Sequence, residues 1–505
     1  MKVLTAAQMR EVDRRTIGMG IPGLVLMENA GQRVVELLAG KFAPLAAQRI
    51  AVLCGKGNNG GDGMVVARQL FTRFHPAALH VVLLAAPEEL KGDAARNYQM
   101  LTVCGCPVER AIPAEARLAT LVVDALLGTG LSGPATGAML EAIRQINSGF
   151  PLAKVVAVDI PSGMPSDSGE PLGEQARADY TVTFTAPKPA QVLSPNCDAV
   201  GELRVEAIGS PPGIFDADDS ITLSLVEPAQ FRHLLAPRPR DSNKGLFGHV
   251  LVIAGSHGKT GAAAMSGMAA LRAGAGLVTV ASEESAIPVI AGHAAELMTE
   301  ALDPGRLDSI AEKKDVIAIG PGLGSRPETV AMVRRAVADF RQPMVVDADA
   351  LNALAGAQWS GGGRLRVLTP HPGEMARLTG KKIPEIQADR LAAARGLATA
   401  RQVCLVLKGE RTLIAFPDGR VWINPTGSPA MATGGTGDIL TGLIVGFLGQ
   451  FPKETDMAVA AAVYLHGLAG QLGAAALTEQ CLVATDLLRY LPAAMEECAR
   501  LPHLL

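Results

Sequence analysis

The sequence predicts an α/β protein built as two consecutive domains, the first a doubly wound parallel sheet. Three observations carry this. Short apolar runs alternate with helical patterns along most of the chain. Gly/Pro-rich clusters interrupt that alternation once, near the middle. At 505 residues the chain exceeds one ordinary domain.

The elements follow in order. Thr5 is placed to cap a helix running to about Ile17, and 18–23 breaks it before a second helical pattern at 24–38. The apolar runs at 49–54, 79–85, 121–125, 155–159 and 180–185 read as buried parallel strands with helices between them. Breaker clusters at 209–213 and 237–243 flank the run 221–225. This gives a first domain at 1–215, a linker at 216–235 and a second domain at 236–505. The alternation then restarts, with strands expected at 249–254, 277–281, 316–319, 344–346, 366–368, 403–407, 412–415 and 421–423. The final 65 or so residues read as Ala/Leu-rich helix.

Composition narrows the function. Hydrophobic residues are 48% and charged residues 19%, which excludes a disordered chain. Aromatics are 4%, so the core must come from Ala, Val, Leu and Ile. A net charge of −3 removes the electrostatic case for nucleic acid. The most apolar stretches, 457–477 and 439–448, either carry Tyr464, His466 and Gln471 or are too short to span a bilayer, so no membrane partner is expected. Arg10, Glu11, Asp13, Arg14 and Arg15 stand where a signal peptide needs apolar residues. Seven dispersed cysteines suit reduced thiols. A cytoplasmic location is expected.

After the run 49–54 comes Gly55-Lys-Gly-Asn-Asn-Gly-Gly-Asp-Gly63, then a helix expected from about Met64. Glycines let backbone approach a ligand, and a helix start offers free N–H groups to phosphate. The segment satisfies G-x-G-x-x-G. The acidic ribose partner expected at the next strand end comes late, as Glu88, so that motif alone does not establish dinucleotide binding. Two further strand ends carry carboxylates. Asp124 precedes Gly128, Thr129, Gly130, Leu131, Ser132, Gly133 and Pro134, and Asp159 precedes Ser162. Ligands bind at the carboxyl ends of parallel strands, so Asp62, Asp124 and Asp159 are expected to face one cleft. Each Asp alone could equally cap a loop or helix. The oxygen donors Asn59, Asp124 and Ser162 suit a hard cation better than zinc.

In the second half, Asn424-Pro-Thr-Gly-Ser-Pro-Ala-Met-Ala-Thr-Gly-Gly-Thr-Gly-Asp438 opens a long helix. Its N–H groups can hold phosphate, and Asp438 would stand beside a transferred phosphoryl group, ready to take a hydroxyl proton. Gly258-Lys259-Thr260 is not a Walker loop, because Ile253 stands where that motif needs glycine. Lys408, Gly409, Glu410, Arg411 and Thr412 follow a strand and could contact a nucleotide or form a solvated turn. Gly322 lies in a flexible Gly-Pro-Gly-Leu-Gly segment, and His371 ends a strand before a helix. The roles of Lys259, Asp347, Asp349 and the segment 261–264 stay open.

These motifs carry a resemblance. N-N-G-G-D-G, V-D-A-L-L-G-T-G and V-D-I-P-S-G, with the opening T-A-A-Q-M-R-E-V-D, resemble the NAD(P)H-hydrate epimerase domain over about 1–215. That implies that Asn58, Asn59, Gly60, Gly61, Asp62 and 128–134 hold the hydrated nicotinamide nucleotide. It also implies Asp159 as acid/base and a potassium ion on Asn59, Asp124 and Ser162. The G-T-G-D motif resembles the ribokinase-like superfamily. With G-P-G-L-G, D-A-D-A-L and T-P-H-P-G-E it resembles the NAD(P)H-hydrate dehydratase domain over about 230–500. Ser428 and Ala430 depart from the usual pattern of its N-P-T-G loop. The resemblance implies that Gly322, His371 and Asp438 contact the hydrate, and that 408–412 and Gly437 contact ADP with Mg²⁺.

The expected function is therefore bifunctional repair of NADHX and NADPHX: epimerisation of the R form, then ADP-dependent dehydration of the S form by a homo-oligomer. The alternative is a ribokinase-like small-molecule kinase with an accessory nucleotide-binding domain.

Overall fold

In a computed structural model of the protein, residues 1–500 are described. The chain divides into two compact units, Met1–Ile221 and Thr222–Leu505.

The first unit is a parallel sheet of β1 (Arg49–Cys54), β2 (Ala78–Leu83), β3 (Leu121–Ala125), β4 (Lys154–Val158), β5 (Tyr180–Phe184) and β6 (Glu202–Glu206), in the order β2-β1-β3-β4-β5-β6. The chain reverses its direction of travel across the sheet between β1 and β3, and a crevice opens there at the strands' carboxyl ends. The central strands are buried on both faces, as their unbroken apolar runs require. Helices Gly23–Lys41, Asn58–Gln69 and Gly92–Val103 close one face and Gly137–Ser148 the other. At the start of the chain, Thr5 and Gln8 form a reciprocal capping box for helix Ala6–Gly18, a device worth about 1 kcal/mol. The sequence reading missed β6. Its residues are only half-buried, so Glu-Leu-Arg-Val-Glu shows no apolar run.

The second unit is a mixed sheet of β7 (Leu223–Leu225), β8 (His249–Ile253), β9 (Leu277–Ser282), β10 (Met298–Ala301), β11 (Val316–Ile319), β12 (Met344–Val346), β13 (Arg366–Leu368), β14 (Cys404–Leu407), β15 (Leu413–Ala415) and β16 (Val421–Ile423). The order is β10-β9-β8-β11-β12-β13-β14-β15-β16-β7. Among the described residues, only β14–β15 and β15–β16 pair antiparallel. Residues 216–235 do not form a plain linker: β7 lies within them and pairs in parallel with β16. The edge strand β10 was also missed, because its ends are exposed and it carries little apolar signal.

Helix Thr436–Gln450 is buried from Ile439 to Gly449 and crosses helix Thr260–Ala273 closely. A Cβ at Gly442 would lie 2.2 Å from the Ser266 carbonyl oxygen. Helix Thr455–Leu477 is long and apolar enough to cross a membrane. Here it is mostly buried, packed on helices Thr436–Gln450 and Ala484–Arg500.

Candidate active sites

In the first unit a cavity of about 900 Å³ opens at the β1/β3 crevice. Asn58, Asn59, Asp62, Asp159 and all of 128–134 line it. Two expected contacts, Gly60 and Gly61, do not. The helix begins at Asn58 rather than Met64, so both glycines sit inside its first turns and face protein. A Cβ on Gly60 would lie 1.9 Å from the Gly55 carbonyl oxygen, and one on Gly61 would lie 2.6 Å from Met27 Sδ. They let the helix pack against the strand-to-helix turn and its neighbour.

Asp159 adopts a φ of 62°, unusual for a non-glycine residue. Its Oδ1 accepts from Lys188 Nζ at 2.6 Å and from Thr183 Oγ1 at 3.0 Å, while Gln191 Nε2 donates to its carbonyl at 2.5 Å. Lys188 was missed. Its signal is a lysine just past the end of β5, in Ala-Pro-Lys-Pro. The carboxylates of Asp13 and Asp62 line the same cavity. Burial pushes the Asp62 pKa well above the usual carboxylate range, Asp159 and Asp13 push it further, and Lys188 opposes. Burial also raises the Asp13 pKa, against Lys188 and with Asp159. One ammonium thus shares one open cavity with three carboxyl groups.

Asp124 and Ser162 lie beneath this cavity and do not line it. Asp124 is fully buried and accepts from Ser162 Oγ at 2.5 Å, Ser162 N at 2.8 Å and Leu126 N at 3.3 Å. Burial raises its pKa, and these three bonds offset part of the shift. Nearby, Asn59 Nδ2 donates to the Leu127 carbonyl at 3.1 Å. Its Oδ1 is buried without any hydrogen-bond partner. An orphaned buried oxygen needs an explanation, since leaving it unsatisfied costs about 1–3 kcal/mol.

In the second unit the ends of β11, β12, β13 and β14 converge on the start of helix Thr436–Gln450. Gly435, at φ 96°, caps that helix. Asp438 stands in its first turn, with its pKa raised to about 6. Burial is the main cause, then Asp347, while Lys408 opposes and Asp349 and Glu374 add to the rise. Lys408, just past β14, places Nζ 2.9 Å from Asp347 Oδ1 and 3.9 Å from Glu374. Burial works against its charge, but Asp347 and Glu374 prevail and raise its pKa. A Cβ on Gly437 would sit 3.3 Å from Lys408 Nζ, so the loop 408–412 and the helix start are adjacent.

The remaining predicted residues fall around this centre. Thr412 Oγ1 donates to the Gly409 carbonyl at 2.9 Å, Arg411 Nη1 donates to the Pro425 carbonyl at 3.3 Å, and Glu410 is exposed. Arg390, also missed, donates to the Glu410 and Lys408 carbonyls and so ties down the loop. Gly322, at φ 67°, accepts from Ser256 Oγ at 2.7 Å. His371 caps helix Pro372–Thr379: its Nδ1 accepts from Gly373 N at 3.0 Å, and its Nε2 lies 3.5 Å from the Glu374 carboxylate while the side chain as a whole is half-exposed. His466 was read only as a polar residue in an apolar stretch. Burial depresses its pKa to about 4, so the ring is neutral, and Nε2 donates to the Thr436 carbonyl at 2.9 Å.

Two α/β units, each with a carboxyl group set into a glycine-bounded site at strand carboxyl ends, define a two-site enzyme of the nucleotide-handling kind. Residues 23–190 match the family model "YjeF-related protein N-terminus", and residues 250–493 match "NAD(P)H-hydrate dehydratase". The chain is 44% identical to the bifunctional NAD(P)H-hydrate repair enzyme Nnr of Moorella thermoacetica, over 97% of this chain and 96% of that one. With the Escherichia coli protein of the same name it is 38% identical, over 93% and 89%. The second unit also resembles a crystal structure of the ADP/ATP-dependent NAD(P)H-hydrate dehydratase of Bacillus subtilis, co-crystallised with ATP and Mg²⁺. Identity there is 35% and the TM-score 0.51, over 55% of this chain and 98% of that one. The chain belongs to the bifunctional NAD(P)H-hydrate repair enzyme family.

Proposed function

We propose that this chain performs both steps of NAD(P)H-hydrate repair. The first unit interconverts the R and S epimers of NADHX and NADPHX. The second dehydrates the S epimer with ADP, giving NAD(P)H, AMP and phosphate. The observation that carries the reading is that Asp438 and the Lys408 ammonium stand together at the glycine-rich start of helix Thr436–Gln450, close enough for each charge to act on the other. A base with a pKa near 6 beside a fixed ammonium suits phosphoryl transfer to a hydroxyl.

In the second unit, Asp438 takes the proton of the C6 hydroxyl as its oxygen attacks the β-phosphoryl group of ADP, and AMP leaves. Lys408 and the N–H groups of the helix start face the developing phosphate charge. Hydroxide leaves carbon poorly, whereas phosphate leaves well. The ring nitrogen expels it, and loss of the C5 proton completes the dihydropyridine. Mg²⁺ keeps most of its waters on a nucleotide and takes one or two protein carboxylates. Glu374, buried beside Lys408, is the oxygen donor suited to it.

In the first unit, Asp159 is the acid/base that serves loss and return of the C6 hydroxyl on either face, with 128–134 and Asn58 around the nucleotide. Asn59, Asp124 and Ser162 offer only oxygen donors, and the buried, unpartnered Asn59 Oδ1 supports a potassium ion held by these residues.

The test is incubation of the purified chain with mixed R and S hydrate, with and without ADP, following reduced nicotinamide. Complete conversion that requires ADP supports both steps. Conversion that stops at the S fraction removes the epimerase, and a stable phosphorylated product instead of NAD(P)H makes the second unit an ordinary kinase.

A further inference from the structure

The turn after β12 hands two carboxylates to two different lysines. Asp347, 1% exposed, accepts Lys408 Nζ on Oδ1 at 2.9 Å and Thr441 Oγ1 on Oδ2 at 2.8 Å. Asp349 accepts Lys259 Nζ at 3.2 Å and Gly324 N at 2.7 Å. Ala348 between them has φ 50° and ψ −119°, a conformation that L-residues rarely adopt. That turn lets two residues so close in sequence serve separate partners.

Thr441 lies three residues beyond Asp438 on one helix, so the two share a face. Asp347 therefore touches both halves of the proposed phosphoryl-transfer machinery: the ammonium at the end of β14 and the helix that carries the base. Each of its oxygens thus holds one of these partners before any substrate arrives.

We infer that Asp347 is the positioning residue of the dehydration site, fixing Lys408 against the start of helix Thr436–Gln450 and so setting the spacing between that ammonium and the Asp438 carboxylate. The inference rests on the ADP-dependent dehydration proposed above. Without Asp347, the carboxylate partner left to Lys408 among the described residues is Glu374, 3.9 Å away. The charged groups facing Asp438 are Asp347 and Asp349 from the β12 turn, Lys408 from the end of β14 and Glu374 from helix Pro372–Thr379. Lys259 stands behind Asp349. Among these charges Asp347 acts most strongly on Asp438, in the direction that keeps it protonated.

The experiment uses the full chain with Asp347→Asn, assayed on the S hydrate with ADP and Mg²⁺ across pH. The amide oxygen still accepts from Thr441, but Lys408 loses its carboxylate partner. The expected result is a nucleotide KM raised on the order of tenfold and a kcat lowered on the order of tenfold, as for a misplaced binding group. The acid limb of kcat moves down by about one pH unit, because a like charge beside Asp438 has gone. Fluorescence of the buried Trp422 reports whether the second unit is folded. A folded variant whose acid limb stays where the wild type has it overturns the inference, as does a rate within twofold of wild type. Thr441→Val cuts only the second tie. It is expected to lower kcat by about threefold to tenfold with the limb unmoved, and wild-type kinetics in it overturn the inference even if Asp347→Asn does not fold. A wild-type chain that makes no NAD(P)H with ADP overturns the functional reading instead.

Discussion

Lys188 Nζ lies 2.6 Å from Asp159 Oδ1, and the lysine side chain is 2% exposed. The ammonium also donates to Thr183 Oγ1 at 2.8 Å and to the Phe184 carbonyl at 3.3 Å. Every donor is therefore committed, and the aspartate is held in one orientation. Removing one partner of such a pair strands the other charge, which costs about 3–5 kcal/mol. Lys188→Met is expected to abolish epimerisation and to lower the unfolding temperature of the first unit. Dehydration of the pure S hydrate should persist. Separate assays on R and S hydrate check this, and an R-to-S rate within a few fold of wild type would remove Lys188 from the site.

Asp62 gives a prediction in which stability and activity part company. Its folded pKa is raised, so its contribution to stability is fully present below its unfolded value of about 3.9 and is lost as pH rises through the folded value. Asp62→Asn keeps the shape and removes that loss. The variant should gain stability over wild type progressively as pH increases from about 4, while its epimerase activity falls. Thermal unfolding of the first unit at several pH values measures the difference. A difference independent of pH would refute the claim.

Both sheets were legible because central parallel strands carry buried apolar runs, and β1, β3, β8 and β11 do, broken only by Arg49 and His249 at strand starts and by Asp124 near the end of β3. The edge strands β6 and β10 were not, since half-exposed residues leave no such run. The cavity-facing residues Asn58, Asp62, Asp159 and 128–134 could be read because strand carboxyl ends converge in this class of fold. Gly60 and Gly61 stand in the same motif, yet spacing alone does not show that they pack against the Gly55 carbonyl and Met27 and lie off the cavity lining. The pairs Lys188–Asp159, Arg390–Lys408, Asp347–Lys408 and Asp347–Thr441 are separated by 29, 18, 61 and 94 residues in sequence. Only the fold brings those pairs together.

The buried Oδ1 of Asn59 predicts a monovalent-ion requirement. Asn59 Nδ2 already donates to the carbonyl of Leu127, the residue whose N–H donates to Ser162 Oγ, while its Oδ1 is buried with nothing to bond. Replacing potassium by tetramethylammonium, too large for such a buried site, should slow epimerisation on the order of tenfold or more, and Ser162→Ala should weaken the response to added potassium. Dehydration of the S hydrate serves as the internal comparison. Identical epimerase rates in the two salts would count against a cation there.

His466 carries an acid-sensitivity of the second unit. Its folded pKa, about 4, lies below the usual value near 6.5. The unfolded chain therefore binds a proton that the folded one refuses. Stability is present above about 6.5 and declines as pH falls toward 4, by about 3 kcal/mol in all. His466→Gln retains a donor for the Thr436 carbonyl and cannot charge. Its denaturant midpoint should be less sensitive to pH between 6.5 and 4 than that of wild type, and parallel curves for the two proteins would exclude His466 as the cause.

The pKa of Asp438, about 6, fixes the sign of the dehydratase pH profile. A base must be deprotonated to accept the hydroxyl proton, so kcat should be level above about 7 and fall about tenfold per pH unit below about 5. Asp438→Asn cannot accept the proton at any pH. Its rate should drop by about 10²-fold or more and lose the acid limb altogether. Nucleotide affinity should change little, because Lys408, Gly437 and the helix start remain. The first unit contains neither Asp438 nor its partners, so epimerisation should proceed normally in the same preparation. The measurement is a pH series of initial rates for both proteins with saturating ADP. An acid limb that survives in Asp438→Asn would assign the titration to another group and displace Asp438 as the base.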